Sequence, residues 1–234
     1  MNFEQLKSEL QCFITNINDE QVEKLHRFMD IVLTKNKAFN LTAIKDEETF
    51  VEKMILDSAL AGHDFDFNGK NTLDVGSGAG FPGIVLAILY PQGQFVLLEA
   101  TRKKCVHLKE VAKELGLDNV CVINDRAEIY IRNHREYFDA AIARAVAALN
   151  VLIELCVPFV KVGGNFIAMK SQKAEEEYNV AYLAMKRLNI TLLKKDKYIL
   201  PESKEDRTNL IFVKNKENDT RYPRDYKFII TKPL

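Results

Sequence analysis

The stretch that most constrains this sequence of 234 residues runs from position 72 to position 90 and reads TLDVGSGAGFPGIVLAILY. An apolar run opens it, an apolar helical pattern closes it, and four of the eight residues between are glycines: Gly76, Gly78, Gly80 and Gly83. Glycine has no Cβ, so the amides of such a turn can approach a ligand closely and adopt positive φ values. A strand, a glycine turn and a helix N-terminus in this order predict a concave site for a nucleotide-like ligand.

Strand and helix patterns alternate around this turn. They predict strands at 73–75, 94–99, 120–124, 137–143, 165–169, 190–200 and 209–213, and helices at 81–90, 101–115, 147–160 and 174–188. Such repeated β-α units favour a doubly wound parallel sheet. The last two strands are joined only by a loop around 201–207, too short for a crossover helix, so they should pair antiparallel. We therefore predict the α/β fold of class I S-adenosylmethionine-dependent methyltransferases, Rossmann-like, with seven mostly parallel strands and an antiparallel last strand.

The region before the glycine turn has a helical pattern instead. Apolar residues at three- and four-residue steps predict helices from residue 3 to 13, from 19 to about 36 and from 46 to about 60, with a turn at 39–44. We predict three units: a helical cap at 1–70, a methyltransferase domain at 71–214 and a basic C-terminal tail at 215–234.

Composition excludes several classes of protein. Lys and Arg together number 33, as do Asp and Glu, so only local clusters can attract a nucleic acid. The four cysteines form no C-x-x-C pair, the N-terminus has no signal-peptide pattern, and the longest apolar run is far shorter than a membrane span. We expect a cytoplasmic protein with reduced thiols. The four histidines have no ligand spacing, so we expect no metal site.

The glycine turn admits two ligands. Gly78, Gly80 and Gly83 satisfy G-x-G-x-x-G, and Glu99 follows Gly78 by 21 residues, which is the pattern of a dinucleotide site. Asp74, inside the first strand, favours S-adenosylmethionine instead, because a carboxylate there can orient the turn and face the methionine ammonium group. A pyrophosphate would be repelled by that charge. We favour the methyl donor over the dinucleotide, and both over a tight turn without a ligand.

Polar residues follow three neighbouring strands. Glu99 ends the second strand, where its carboxylate could accept both hydroxyls of an adenosine ribose. Residues 125–128 follow the third strand, where an adenine ring would lie, or they could cap the next helix. Arg144 follows the fourth strand, where methyl group and acceptor would meet, and an arginine in so apolar a run requires a partner.

Several blocks of the sequence carry a family resemblance. They are Asn40–Ile44, Leu56–Ser58, Asp74–Gly83, Arg126–Glu128, Arg144–Ala147, Tyr222–Arg224 and Lys232–Leu234. In this order they resemble the glucose-inhibited division protein B family, the methyltransferases that make 7-methylguanosine in 16S rRNA of the small ribosomal subunit. Met54 departs from the family pattern, which often has a histidine there.

The resemblance implies roles for individual residues. Gly76 and Phe81 would lie against the methyl donor, Ala127 and Glu128 would meet its adenine side, and Arg144 would close the pocket. The expected reaction methylates N7 of a guanine in the 530-loop region of 16S rRNA. Because N7 carries a lone pair and no proton, the transfer needs no general base and depends on position and orientation.

RNA contact is expected from local basic clusters. The candidates are Arg102, Lys103, Lys104, Lys170, Arg221, Tyr222 and Arg224, which could combine phosphate contacts with aromatic stacking. The predicted partner is 16S rRNA, the 30S subunit or an assembly intermediate, bound by a monomer. The alternatives are a small-molecule methyltransferase, an NAD(P)-dependent oxidoreductase and a non-catalytic module that binds RNA or the donor.

Overall fold

A seven-stranded sheet forms the centre of the computed structural model, which describes residues 1–14, 17–39 and 41–234. The strands are β1 (Asn71–Val75), β2 (Gln94–Glu99), β3 (Val120–Asn124), β4 (Phe138–Arg144), β5 (Val160–Lys170), β6 (Ile190–Ile199) and β7 (Asp206–Lys214). Their order is β3-β2-β1-β4-β5-β7-β6, and β7 runs antiparallel to both of its neighbours while the other pairs are parallel. The predicted topology, with its reversed last strand, is confirmed.

Helices cover both faces of the sheet. They are α1 (Phe3–Gln11), α2 (Asp19–Phe39), α3 (Glu47–Phe50), α4 (Asp57–Ala59), α5 (Gly83–Leu89), α6 (Arg102–Glu114), α7 (Ala127–Tyr130), α8 (Leu149–Cys156), α9 (Ala174–Val180), α10 (Tyr182–Arg187) and α11 (Tyr226–Thr231). A π-helical segment, Val51–Leu56, joins α3 to α4, and a 3-10 turn, Leu60–Gly62, follows α4. The strands β1 and β4 are buried on both faces, which explains why they read as near-continuous apolar runs.

The predicted cap helices pack directly on the sheet domain. Buried residues of the first 60 positions, such as Leu25 and Phe28, belong to the same apolar cluster as Ile84 of α5 and Leu97 of β2. A second cluster on the other face includes α8 and Phe166 of β5. One core thus joins the cap to the sheet, and it fixes the position of the segment around α4 over the sheet.

Three predicted features of the secondary structure were wrong. The strand β5 begins at Val160 and not at Asn165, because Gly163, with φ +82°, lies within the strand and forms no turn before it. The predicted helix at 174–188 is divided at Ala181 into α9 and α10, and residues 226–231 form a helix that the sequence did not predict.

Two further observations complete the fold. Asn40, in the predicted turn at 39–44, lies outside the described residues. Among the helices of the described part of the chain, none has the length and hydropathy needed to cross a membrane.

Candidate active site

The turn after β1 has a backbone that favours glycine. The φ angle is +78° at Gly76, +59° at Gly78 and +111° at Gly80, a range that residues with a Cβ rarely adopt. A Cβ on Gly76 would lie 2.7 Å from Cγ2 of Val146, in the loop after β4. Glycine therefore allows the loops after β1 and β4 to approach each other at the carboxyl edge of the sheet.

Asp74 fastens this turn to the start of α5. Its side chain is fully buried, and its Oδ2 accepts a hydrogen bond of 3.0 Å from the Gly83 amide. Burial raises the pKa of Asp74 to about 7, although hydrogen bonds from Ser77 and Gly83 oppose the shift. Its Oδ1 is buried without a hydrogen-bond partner among the described residues. Asp74 thus holds the turn in shape and keeps one acceptor atom unused.

Glu99, at the end of β2, holds the turn from the other side. Its Oε2 accepts a hydrogen bond of 3.0 Å from the Gly78 amide, and its Oε1 accepts one of 2.7 Å from the Thr101 amide. The residue is 7% exposed. The carboxylate therefore lies beside the turn, within the group of atoms that would surround an adenosine ribose.

The residues after β3 lie beside the C-terminal helix. Ala127 begins α7, and Glu128 is ion-paired with Arg126. The Arg126 guanidinium lies 4.4 Å from the centre of the Tyr226 ring of α11. The expected adenine side is therefore close to a helix within the predicted basic tail.

Arg144, at the end of β4, is held by an acidic residue of the cap. One of its terminal nitrogens donates to Asp57 Oδ2 at 3.1 Å and to the Lys53 carbonyl at 3.1 Å. Both side chains are largely buried, with 12% of Arg144 and 7% of Asp57 exposed. The partner that the sequence required for Arg144 is therefore Asp57.

The Asp57 carboxylate also contacts two residues of the β6-β7 hairpin. Its Oδ1 accepts a hydrogen bond of 3.1 Å from the Tyr198 hydroxyl, and the Arg207 guanidinium lies 3.3 Å from the same oxygen. One carboxylate thus contacts two guanidinium groups, and Arg207 has Glu205 as a second partner at 2.7 Å. The cap, β4 and the β6-β7 hairpin meet at this single side chain.

Phe81 packs inside the cap. Its ring centre lies 4.9 Å from that of Phe28 and 5.6 Å from that of Phe50, and the residue is 4% exposed. The Arg144 guanidinium lies 5.3 Å from the Phe81 ring centre. Phe81 therefore supports Arg144 as well as the glycine turn.

An open pocket of about 800 Å³ lies beside Arg144. Its lining combines Asp57 and Arg144 with Met54, Val146 and Met169. Ala145, on the rim, has φ +55°, which costs an alanine roughly 1 kcal/mol. A strained residue of this kind is typical of functional loops. The pocket adjoins the glycine turn, because Val146 also contacts Gly76.

The predicted RNA-binding residues fall into separate groups. Arg102 and Lys103 are exposed and Lys104 is half-buried in the first turn of α6, close to Glu99. Cations at a helix N-terminus oppose the helix dipole, so this cluster is not explained by helix stability. Lys170 lies in the pocket wall instead, where its ammonium group donates to the Ala147 carbonyl and to Glu177, each at 2.7 Å.

The tail residues do not form the joint RNA-binding face that the composition suggested. Tyr222 is 5% exposed and belongs to the core, which leaves no face for stacking on a base. Arg224 forms a fork with the buried Glu154, at 2.8 and 2.7 Å. Arg221 is exposed, but it is paired with Asp219 at 2.6 Å. These contacts fix the tail to the domain, so Tyr222 and Arg224 are packing residues.

A family model described as GidB, rRNA small subunit methyltransferase G, matches residues 21–211. The chain belongs to the rRNA small subunit methyltransferase G family. The resemblance found in the ordered sequence blocks is thereby confirmed, and the oxidoreductase alternative is set aside.

Curated members of the rRNA small subunit methyltransferase G family align with nearly the whole chain. The protein of that name from Fusobacterium nucleatum subsp. nucleatum is 39% identical over 228 residues, covering 97% of this chain and 98% of its own length. The one from Alkaliphilus metalliredigens is 41% identical over 222 residues, covering 94% of this chain and 93% of its own. The cap and the tail are therefore included in the similarity.

Solved structures bear out the fold. A SAM dependent methyltransferase from Aquifex aeolicus superposes with a TM-score of 0.55 at 17% identity, covering 77% of this chain and 98% of that one. M. jannaschii TYW2, solved in complex with AdoMet, gives a TM-score of 0.55 at 16% identity, covering 74% and 79%. The predicted class I methyltransferase fold is confirmed.

Asp57 is a site residue that the sequence does not single out in this rRNA small subunit methyltransferase G family member. Asp57 was part of a block that carried the resemblance, yet it received no role. The available signal was an acidic residue in an otherwise apolar helical stretch, MILDSAL, which needs a buried partner just as Arg144 does.

Proposed function

We propose that this chain transfers the methyl group of S-adenosylmethionine to N7 of a guanine in the 530-loop region of 16S rRNA. One observation carries the proposal: the glycine turn and the loop of Arg144 touch at Gly76 and Val146. A donor held by the turn would present its methyl group toward the pocket beside Arg144, where an extruded base could enter.

The donor would be held by residues of three strand ends. Gly76, Gly78 and Phe81 would contact its methionine half, and the unused oxygen of Asp74 is suited to accept from the ammonium group. Glu99 would accept the ribose hydroxyls, a role that fits its place beside the Gly78 amide. Ala127 and Glu128 would border the adenine.

The protein's contribution to the reaction would be positional. Guanine N7 attacks the methyl carbon with its own lone pair while the bond from carbon to sulfur breaks, so no side chain has to remove a proton. Arg144 lies on the face of Phe81 and is fixed by Asp57, so it can hold the guanine in line with the methyl group.

The backbone of the RNA would follow the cluster of Arg102, Lys103 and Lys104. The cluster begins three residues after Glu99, so phosphates there would lie close to the donor site. We propose a cytoplasmic monomer that acts on 16S rRNA, within the 30S subunit or an assembly intermediate, with Arg221 as a further phosphate contact.

The test is methyl transfer from labelled S-adenosylmethionine to 30S subunits and to naked 16S rRNA, both from cells that lack the enzyme. We expect one methyl group per rRNA molecule. A chemical treatment that cleaves RNA at 7-methylguanosine should then cleave the methylated rRNA at one guanine. Lys103→Glu should weaken rRNA binding without changing donor affinity. Lys113→Glu, at the opposite end of the same helix, is the matched control.

Two results would contradict the proposal. One is label on a small metabolite but not on rRNA, which would favour a small-molecule methyltransferase. The other is rRNA binding with no methyl transfer under any condition, which would favour a non-catalytic binding module.

A further inference from the structure

Three side chains that could bind a metal ion meet away from the glycine turn. His63 and Asp64 follow the 3-10 turn after α4, and Asp196 lies on β6 opposite them. One ligand atom from each residue lies within 4.8 Å of the other two. The spacing of the four histidines predicts no metal site, and Asp196 is too far from His63 and Asp64 along the chain to form a local pattern with them.

The carboxylates in this cluster are not fully satisfied. Asp196 is 7% exposed, and neither its Oδ2 nor Oδ2 of Asp64 has a hydrogen-bond partner in the described part of the chain. Lys194 compensates one carboxylate by pairing with Oδ1 of Asp64. Both free oxygens face the His63 ring, and a cation bound among the three side chains would neutralise the second carboxylate.

The distances fit a tetrahedral metal ion. Bonds from Zn²⁺ to histidine nitrogen and carboxylate oxygen are roughly 2.0–2.2 Å long, which places neighbouring ligand atoms about 3.3–3.6 Å apart. His63 Nδ1 lies 3.4 Å from Asp196 Oδ2 and 3.6 Å from Asp64 Oδ2. The ligand atoms of Asp64 and Asp196 lie within 4.8 Å of each other, so a single ion can contact all three atoms with at most a small shift of the carboxylates.

We propose that His63, Asp64 and Asp196 bind one Zn²⁺ ion, with water as the fourth ligand. Access comes from the side of His63, whose side chain is 46% exposed and borders an open groove of about 700 Å³. The Phe13 ring packs edge-on against His63 with ring centres 5.7 Å apart, and so limits the rotation of the imidazole.

The ion would join the cap to the sheet edge. His63 and Asp64 end the segment that contains Asp57, and Asp196 is two residues before Tyr198, the hydroxyl partner of Asp57 on the same face of β6. The site would thus reinforce the contact on which the position of Arg144 depends, without taking part in the reaction.

The test is a calorimetric titration of the untagged, chelator-treated full-length protein with Zn²⁺, repeated with Co²⁺ and read by visible absorption. We expect one equivalent of either metal to bind. Asp196→Asn and His63→Gln should each weaken binding by at least about tenfold. His26→Gln is the matched control, because His26 also lies beside a carboxylate, Asp30 at 3.2 Å, but on the exposed face of α2.

Each outcome decides the proposal. Stoichiometric binding that is lost in the two site variants and retained in His26→Gln supports it. No saturable binding by the wild-type protein overturns it, as does equal affinity in His63→Gln. His63 is half exposed, so its variant should fold even if Asp196→Asn does not.

Discussion

Arg144 and Asp57 form an ion pair at 3.1 Å between residues 87 positions apart, and this pair connects the cap to the end of β4. Asp57 does not depend on Arg144 alone, because Arg207 and Tyr198 also contact its carboxylate. The two partners of the pair therefore differ in what their removal should do. Loss of Asp57 would leave the Arg144 guanidinium without its carboxylate, while Arg207 would keep its pair with Glu205. Loss of Arg144 would leave the Asp57 carboxylate with two partners.

Arg144→Ala should reduce methyl transfer without unfolding the protein. We expect kcat/KM to fall by about 100-fold, since a base that is no longer held in line reacts more slowly. The free energy of unfolding should fall by only about 1 kcal/mol. Arg27→Ala, which removes an exposed arginine of α2, is the control and should change neither quantity. Unaltered turnover in Arg144→Ala would exclude Arg144 from the site.

Gly76→Ala should weaken donor binding strongly and lower the stability of the protein only moderately. The positive φ costs roughly 1 kcal/mol, and the Cβ would also push Val146 away from the turn. We expect the dissociation constant for S-adenosylmethionine to rise at least about tenfold, as measured by equilibrium dialysis.

The matched control for this substitution is Gly69→Ala. Gly69 has φ +66°, but a Cβ there would meet no atom within 4 Å. Gly69→Ala should therefore show only the loss of stability that comes from the positive φ, with an unchanged donor affinity. If both variants bind the donor as the wild type does, the contact between the two loops is not needed for binding.

The strands at the centre of the sheet could be predicted from sequence because each is a buried apolar run. The bounds of β2 and β3 agree with the prediction, and those of β1 and β4 differ by one or two residues. The start of β5 could not be predicted, because two adjacent glycines read as a turn. The helix α11 has only six residues, which is too short for a helical period to stand out.

The residues of the site could be predicted where they lie close together along the sequence. The glycine turn and Glu99 are coded within one β-α-β unit, and the structure places the Glu99 carboxylate on the Gly78 amide. The Arg144–Asp57 pair and the cluster of His63 with Asp196 each join distant segments, so no local pattern reveals them. The C-terminal tail followed the same rule: its charge was visible in the sequence, but Glu154, the partner of Arg224, was not.

Asp74→Asn should change how stability depends on pH. The pKa of Asp74 is raised from 3.8 to about 7 in the folded state, so the folded protein retains a proton that the unfolded chain releases. Asp74 contributes most to the free energy of unfolding below pH 4. This contribution decreases by about 1.4 kcal/mol per pH unit as the pH rises toward 7.

The measurement compares wild-type and Asp74→Asn proteins in urea between pH 4 and 8. Asparagine can still accept from the Gly83 amide, so the variant retains the main contact. The difference in unfolding free energy, wild type minus variant, should decrease across pH 4–7 and stay constant above. A constant difference throughout would mean that Asp74 is ionised in the folded protein across this range.

Arg224→Ala should destabilise the domain, although Arg224 lies in a segment that reads as a basic tail. Its guanidinium is the forked partner of Glu154, which is fully buried in α8, so its removal leaves a buried carboxylate without a counter-charge. We expect a loss of about 3 kcal/mol in unfolding free energy. Arg221→Ala is the control, since it removes only an exposed pair with Asp219 and should cost less than about 1 kcal/mol. Chemical denaturation of both variants shows whether the tail packs on the domain through Arg224 or is only an exposed basic segment. Equal, small losses would show that the tail is not part of the folded core, and truncation at residue 215 would then be the appropriate test of RNA binding.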